Sequence, residues 1–117
     1  MPRASSTAVR MVDVPPLHAA CSQGDFKACE ALVRHGGALM TRDAFGQTPL
    51  HVAVEHGHLP IVSLLVTNHA NLNARTHKGK SPLHYSCMYK RREAAEFLVQ
   101  AGADTNLRDD QGCTPLH

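Results

Sequence analysis

Read as apolar and polar positions, residues 43–75 give two short amphipathic segments in succession. Leu50, Ala53 and Val54 stand at i, i+3 and i+4, and after Gly57 the same spacing returns in Ile61, Leu64 and Leu65. Apolar residues three and four apart share one face of a helix, so the spacing predicts two short helices, each with a single apolar face. Residues 76–108 repeat the arrangement with Leu83, Ser86 and Cys87 followed by Ala94, Phe97 and Leu98. Residues 15–42 do so with Leu17, Ala20 and Cys21 followed by Ala28, Ala31 and Leu32. The units agree in which positions face inward more than in which residue fills them.

A tetrapeptide opens the first helix of each unit. Thr48-Pro49-Leu50-His51 returns as Ser81-Pro82-Leu83-His84 and as Thr114-Pro115-Leu116-His117, at steps of 33 residues, and Pro16-Leu17-His18 lies one further step upstream. Such a period is the signature of a repeat architecture. The hydroxyl of Thr48, Ser81 or Thr114 can accept from a free backbone N–H of the first turn, a cap worth about 1 kcal/mol. Proline suits the first helical position because its missing N–H is not needed there. His51 then lies where its ring can bridge backbone groups of adjacent turns. Ahead of the caps, Asp43-Ala44-Phe45-Gly46, Thr76-His77-Lys78-Gly79 and Asp109-Asp110-Gln111-Gly112 set a glycine at one offset, which predicts a tight turn.

The run Gly46-Gln47-Thr48-Pro49-Leu50-His51-Val52-Ala53, with Gly57-His58 and Ala70-Asn71-Leu72-Asn73 downstream, closely resembles the ankyrin repeat over residues 15–117. The resemblance implies an all-α repeat fold: an ankyrin-type α-solenoid of helix-turn-helix units with short β-hairpin fingers, whose members mostly bind other proteins. The expected organisation is a disordered leader at 1–14, a degenerate first repeat at 15–42, repeats at 43–75 and 76–108, and the truncated start of another at 109–117. Departures from the pattern carry expectations of their own. Pro15 stands where the capping Thr belongs and Asp13 where the turn glycine belongs, so the first hairpin is expected to be incomplete. Lys90 replaces the interhelix glycine of Gly24 and Gly57, and His69 the terminal glycine of Gly36 and Gly102, which makes the third unit the expected weak point. Because His117 falls just after a helix start, the chain is expected to be a piece of a longer repeat protein.

Composition narrows the function. The 117 residues are 43% hydrophobic and 4% aromatic with a formal net charge of +2, too nearly neutral to announce a nucleic acid or membrane surface. Lys90, Arg91 and Arg92, with Lys78 and Lys80, make the third unit the most basic, yet no interleaved aromatic platform accompanies them, and nucleic acid is not an expected partner. No apolar run approaches the roughly 20 residues of a membrane span. Cys21, Cys29, Cys87 and Cys113 form no Cys-x-x-Cys pair, which points to a reducing, intracellular compartment, cytoplasmic or nuclear. Cys21 and Cys87 occupy the place of Val54 and read as small buried apolar residues.

The nine histidines do not read as a metal centre. His18, His51, His84 and His117 are one structural position in successive units, and packed helices lie about 8–10 Å apart, against zinc–nitrogen bonds of about 2 Å. His56 and His58 flank Gly57 and read as structural or surface residues. No phosphate loop, nucleophile elbow or His-Glu-x-x-His is present. Catalysis, cofactor, metal and small-molecule substrate are therefore not expected.

What remains is a surface. The resemblance implies that finger tips and the exposed flank of each first helix line the partner-binding face: here Ala44, Phe45, Gln47, Glu55 and His56, then His77, Lys78, Lys80, Met88 and Tyr89. Phe45, Met88 and Tyr89 are the expected anchors, the alternative being that Met88 and Tyr89 pack on neighbouring hairpins. Arg42, Arg75 and Arg108 recur at the repeat period and would suit an acidic partner segment, unless Asp43 and Asp109 merely neutralise them. The resemblance also makes Asn73 and Asn106 candidates for asparaginyl hydroxylation, against a local role in holding the hairpin. The expected function is a non-catalytic protein-binding scaffold. The alternative is a regulatory or substrate-recruiting arm of a larger enzyme, a kinase or ubiquitin-ligase receptor.

Overall fold

A computed structural model of the chain describes residues 15–35 and 39–115. The expected leader at 1–14 with Asp13, the glycine at Gly36, and Leu116 and His117 of the last tetrapeptide lie outside them. Six helices follow one another: α1 (Pro16–Gln23), α2 (Phe26–Arg34), α3 (Pro49–Glu55), α4 (Leu59–Thr67), α5 (Pro82–Met88) and α6 (Arg92–Gln100). They pair as antiparallel hairpins, and the hairpins stack in file. α1, α3 and α5 form one layer and α2, α4 and α6 the other, each helix packing on its equivalent in the next unit. Leu17, Cys21, Leu50, Val54, Ile61, Leu65, Leu83 and Leu98 fill the space between layers and units, as their spacing predicts.

The capping chemistry explains where the first helices begin. Thr48 accepts from the His51 backbone N–H, while the His51 ring accepts at Nδ1 from the Thr48 backbone N–H, 3.1 Å away. Ser81 and His84 repeat this reciprocal pair, with histidine in the place that glutamate usually takes in a capping box. In α1 the pair fails. Pro15 has neither hydroxyl nor N–H, α1 has no side-chain cap, and His18 Nδ1 is buried without a hydrogen-bond partner.

With Nδ1 accepting in His51 and His84, those rings carry their proton on Nε2 and direct it into the next unit. His18, His51 and His84 donate to the carbonyls of Gln47, Lys80 and Cys113 at 2.6, 2.9 and 2.8 Å. The bridge within one helix end is thus also a tie between units. A second ladder is made by the arginines. Arg42 donates to the Gly46 and Arg75 carbonyls, Arg75 to those of Gly79 and Arg108, and Arg108 to Gly112. A third joins the interhelix loops, where His58 reaches the Ser22 carbonyl and Arg91 that of Glu55.

The fingers are turns, and the described residues contain no β-strand, so the expected β-hairpins are not formed as such. Each finger closes with one backbone bond at its base, Asp43 N–H to Gln47 or Thr76 N–H to Lys80, and sends one to its neighbour, His77 N–H to Phe45 or Asp110 N–H to Lys78. Such isolated bonds do not make a ladder. Gly46 shows how tightly the fingers approach: at φ 79° it sits with the His77 backbone nitrogen 2.7 Å from where a Cβ would be. Lys90 and His69 adopt the positive φ expected of the glycines they replace, 58° and 71°.

Candidate functional site

The stack leaves a groove of about 610 Å3 between the second and third fingers and the ends of α3 and α5. Ala44 and Phe45 come from one finger, Thr76, His77 and Lys78 from the next, and Glu55, Tyr85, Met88 and Tyr89 from the two helices. The helices end there because Glu55 and Met88 are the last residues before the interhelix turns. Phe45, Met88 and Tyr89 are 63, 50 and 40% exposed. Tyr89 stands edge-on to Tyr85, centroids 5.6 Å apart, and Tyr85 is likewise edge-on to the His51 ring. Burial, and after it the Glu55 carboxylate, pushes both tyrosine hydroxyls above their ordinary range.

The other expected surface residues are engaged within the fold. Gln47 donates from its amide nitrogen to Asp43 and accepts from the Tyr85 hydroxyl, both at 2.7 Å. Lys80 lies 2.6 Å from Asp109, and that bond, with backbone N–H donors from Cys113 and Gln111, holds the Asp109 carboxyl well below the usual range. His56 donates to the Val52 carbonyl and stacks on His58. Arg75 and Arg108 are directed to backbone carbonyls, so the arginine series forms a ladder of bonds along the stack. Asn73 accepts from the Asp104 N–H of the next unit at 2.8 Å, a tie between units, while remaining exposed, as is Asn106.

The basic residues of the third unit separate into two places. Lys90, Arg91 and Arg92 line a depression of about 420 Å3 with Gly57, Leu59, Glu93 and Ala94, whereas Lys78 and Lys80 belong to the finger. Among the described residues no three His, Cys, Asp or Glu side chains are grouped to hold a metal ion. Cys21 and Cys29 lie Sγ to Sγ at 3.7 Å in the core, at places filled by Val54 and Val62 one unit on, and burial pushes the Cys21 thiol far up. No described helix is long and apolar enough to cross a membrane. Tyr85 and Thr76 were not among the expected groove residues. The signal for Tyr85 was an aromatic side chain directly after the capping histidine, where the previous unit has Val52.

Stacked helix pairs tied through side chain-to-backbone bonds define a helical repeat protein. The chain belongs to the ankyrin repeat family: a family model for ankyrin repeats in three copies matches residues 8–76, and one for ankyrin repeats in many copies matches residues 65–117. Repeats of this family are in general protein–protein interaction modules. No curated protein matched the chain.

Proposed function

We propose that the chain is a non-catalytic protein-binding module that holds a partner segment in the groove between the second and third fingers. The observation that carries this reading is that Phe45, Met88 and Tyr89 converge there while exposed, and that no side chain of the three takes part in the hydrogen bonds joining the units. Large apolar groups that the fold leaves uncovered are the usual anchors of an interface. The free thiols of Cys21, Cys29, Cys87 and Cys113 support a reducing compartment, cytoplasm or nucleus. The exposure of Asn73 and Asn106 keeps both open to side-chain hydroxylation, which mass spectrometry of protein isolated from cells would detect as one added oxygen.

The test is a triple variant, Phe45→Ala, Met88→Ala and Tyr89→Ala, measured against binders selected on the unaltered chain. With anchors of hot-spot quality the loss is about thirtyfold or more. Val99→Ser, an exposed position in α6 outside the groove lining, is expected to leave binding intact. Binders that tolerate the triple variant and fail on Val99→Ser would overturn the choice of face.

A further inference from the structure

Among the described residues lining the groove Glu55 is the only acid, and its carboxylate makes no hydrogen bond or ion pair with any described residue. Glu55 ends α3 and is half-buried. Its backbone carbonyl accepts from Arg91 Nε at 3.1 Å, yet no cation serves its side chain. The cations nearby are occupied or placed elsewhere. Lys80 is paired with Asp109 at 2.6 Å, Arg91 lies against Gly57, and His77 and Lys78 are exposed on the opposite, finger side of the groove. The Tyr85 hydroxyl donates to Gln47 at 2.7 Å rather than to Glu55. Asp43 stands on the same side of the stack, but its carboxylate already accepts from the Phe45 and Gln47 backbone and the Gln47 amide.

A carboxylate held partly out of water with no counter-charge has lost hydration without a compensating bond. A cation arriving from outside would supply that bond. The walls suit a particular kind of cation. Tyr85 and Tyr89, already sensing the Glu55 charge, offer aromatic rings to a cationic head, while Phe45 and Met88 offer apolar surface to a methylene stem. Arginine and lysine combine the two features in one side chain.

We propose that this groove recognises a partner segment through a basic side chain, arginine or lysine, whose charge meets Glu55 while its stem lies among Phe45, Tyr85, Met88 and Tyr89. The proposal rests on the groove being the binding face. It disfavours an acidic segment, because the arginines that would have received one are bonded to carbonyls.

The experiment uses the full chain and a random twelve-residue peptide library displayed on phage. Binders that the triple alanine variant loses are sequenced, and representatives are synthesised with the basic residue intact or replaced by glutamine. We expect groove-dependent peptides to be enriched in Arg or Lys beside an apolar residue. Glu55→Gln is expected to weaken the intact peptides about tenfold or more and to leave the glutamine versions within about twofold. Glu55→Lys is expected to reverse the preference toward acidic peptides. Groove-dependent peptides without basic enrichment, or an equal response of both peptide versions to Glu55→Gln, would overturn this proposal and leave the groove standing. If no selected peptide depends on Phe45, Met88 and Tyr89, the binding face and this proposal fall together.

Discussion

Acidification from pH 7 to pH 4 is expected to loosen the stack through His51. The ring is fully buried, with Nδ1 accepting from Thr48 and Nε2 donating to the Lys80 carbonyl of the next unit. A second proton has nowhere to go without ejecting the Thr48 N–H. Burial therefore lowers the His51 pKa from 6.5 to about 4, against the smaller opposing pull of the Lys80 carbonyl. Between those values the unfolded chain binds a proton that the folded one refuses, so stability is complete above pH 6.5 and falls as the pH drops through the window. At about 1.4 kcal/mol per pH unit the loss reaches about 3 kcal/mol by pH 4. That is a sizeable share of the roughly 5–15 kcal/mol that holds a small domain together. Asp109 acts below this window, since its depressed pKa removes stability only under the ordinary carboxylate value of 3.8. Urea unfolding at a series of pH values measures the slope, and the His51 ring resonances in the folded state measure its cause. His51→Asn, whose amide oxygen can still accept from Thr48, is expected to be less stable at pH 7 and to show a flatter pH dependence. A folded-state titration of His51 near pH 6.5, or an unchanged slope in the variant, would refute the reasoning.

Three further outcomes follow from the same contacts. Pro15→Ser restores both the hydroxyl and the N–H that His18 Nδ1 lacks, and is expected to add about 1–2 kcal/mol, read as a rise in Tm by thermal circular dichroism; an unchanged or lower Tm would show that the orphaned nitrogen carries no penalty. Lys90→Gly relieves a left-handed lysine at φ 58° and is expected to gain about 1 kcal/mol in urea unfolding, a lower midpoint being the contrary result. Arg75→Ala removes donors to the Gly79 and Arg108 carbonyls and is expected to speed amide hydrogen exchange in the turn at 109–112, whereas unaltered exchange would deny the ladder its structural role.

The helix starts were legible because proline and apolar spacing mark the same positions, joined by a capping hydroxyl ahead of α3 and α5, and α1, α3 and α5 begin at Pro16, Pro49 and Pro82 accordingly. The left-handed Lys90 and His69 were legible because glycine holds their places elsewhere in the chain. The acceptors of the ladders were not. A period of 33 tells which residues are equivalent, but His51 bonds to a residue 29 positions on, and that offset depends on how far one unit slides over the next. The arginines showed their period without showing that backbone carbonyls would receive them. Gln47 and Lys80 looked like free surface residues because Tyr85 and Asp109 are brought to them by stacking alone. The described residues form no finger strands because only one backbone bond passes from each finger to the next, too few for a ladder.

The direction of these bonds separates stability from recognition. Histidine and arginine ladders end on main-chain carbonyls, which every unit offers whatever side chains it carries. The units therefore join through residues at fixed places, and the side chains at positions 44, 45, 55, 77, 78, 88 and 89 take no part in the hydrogen bonds between described units. Substituting them one at a time is expected to move stability by only about 0.5 kcal/mol while changing what the groove accepts. Glu55 illustrates the division: its main-chain carbonyl belongs to the architecture through Arg91, and its carboxylate, four bonds away on the same residue, is bonded to none of the described residues.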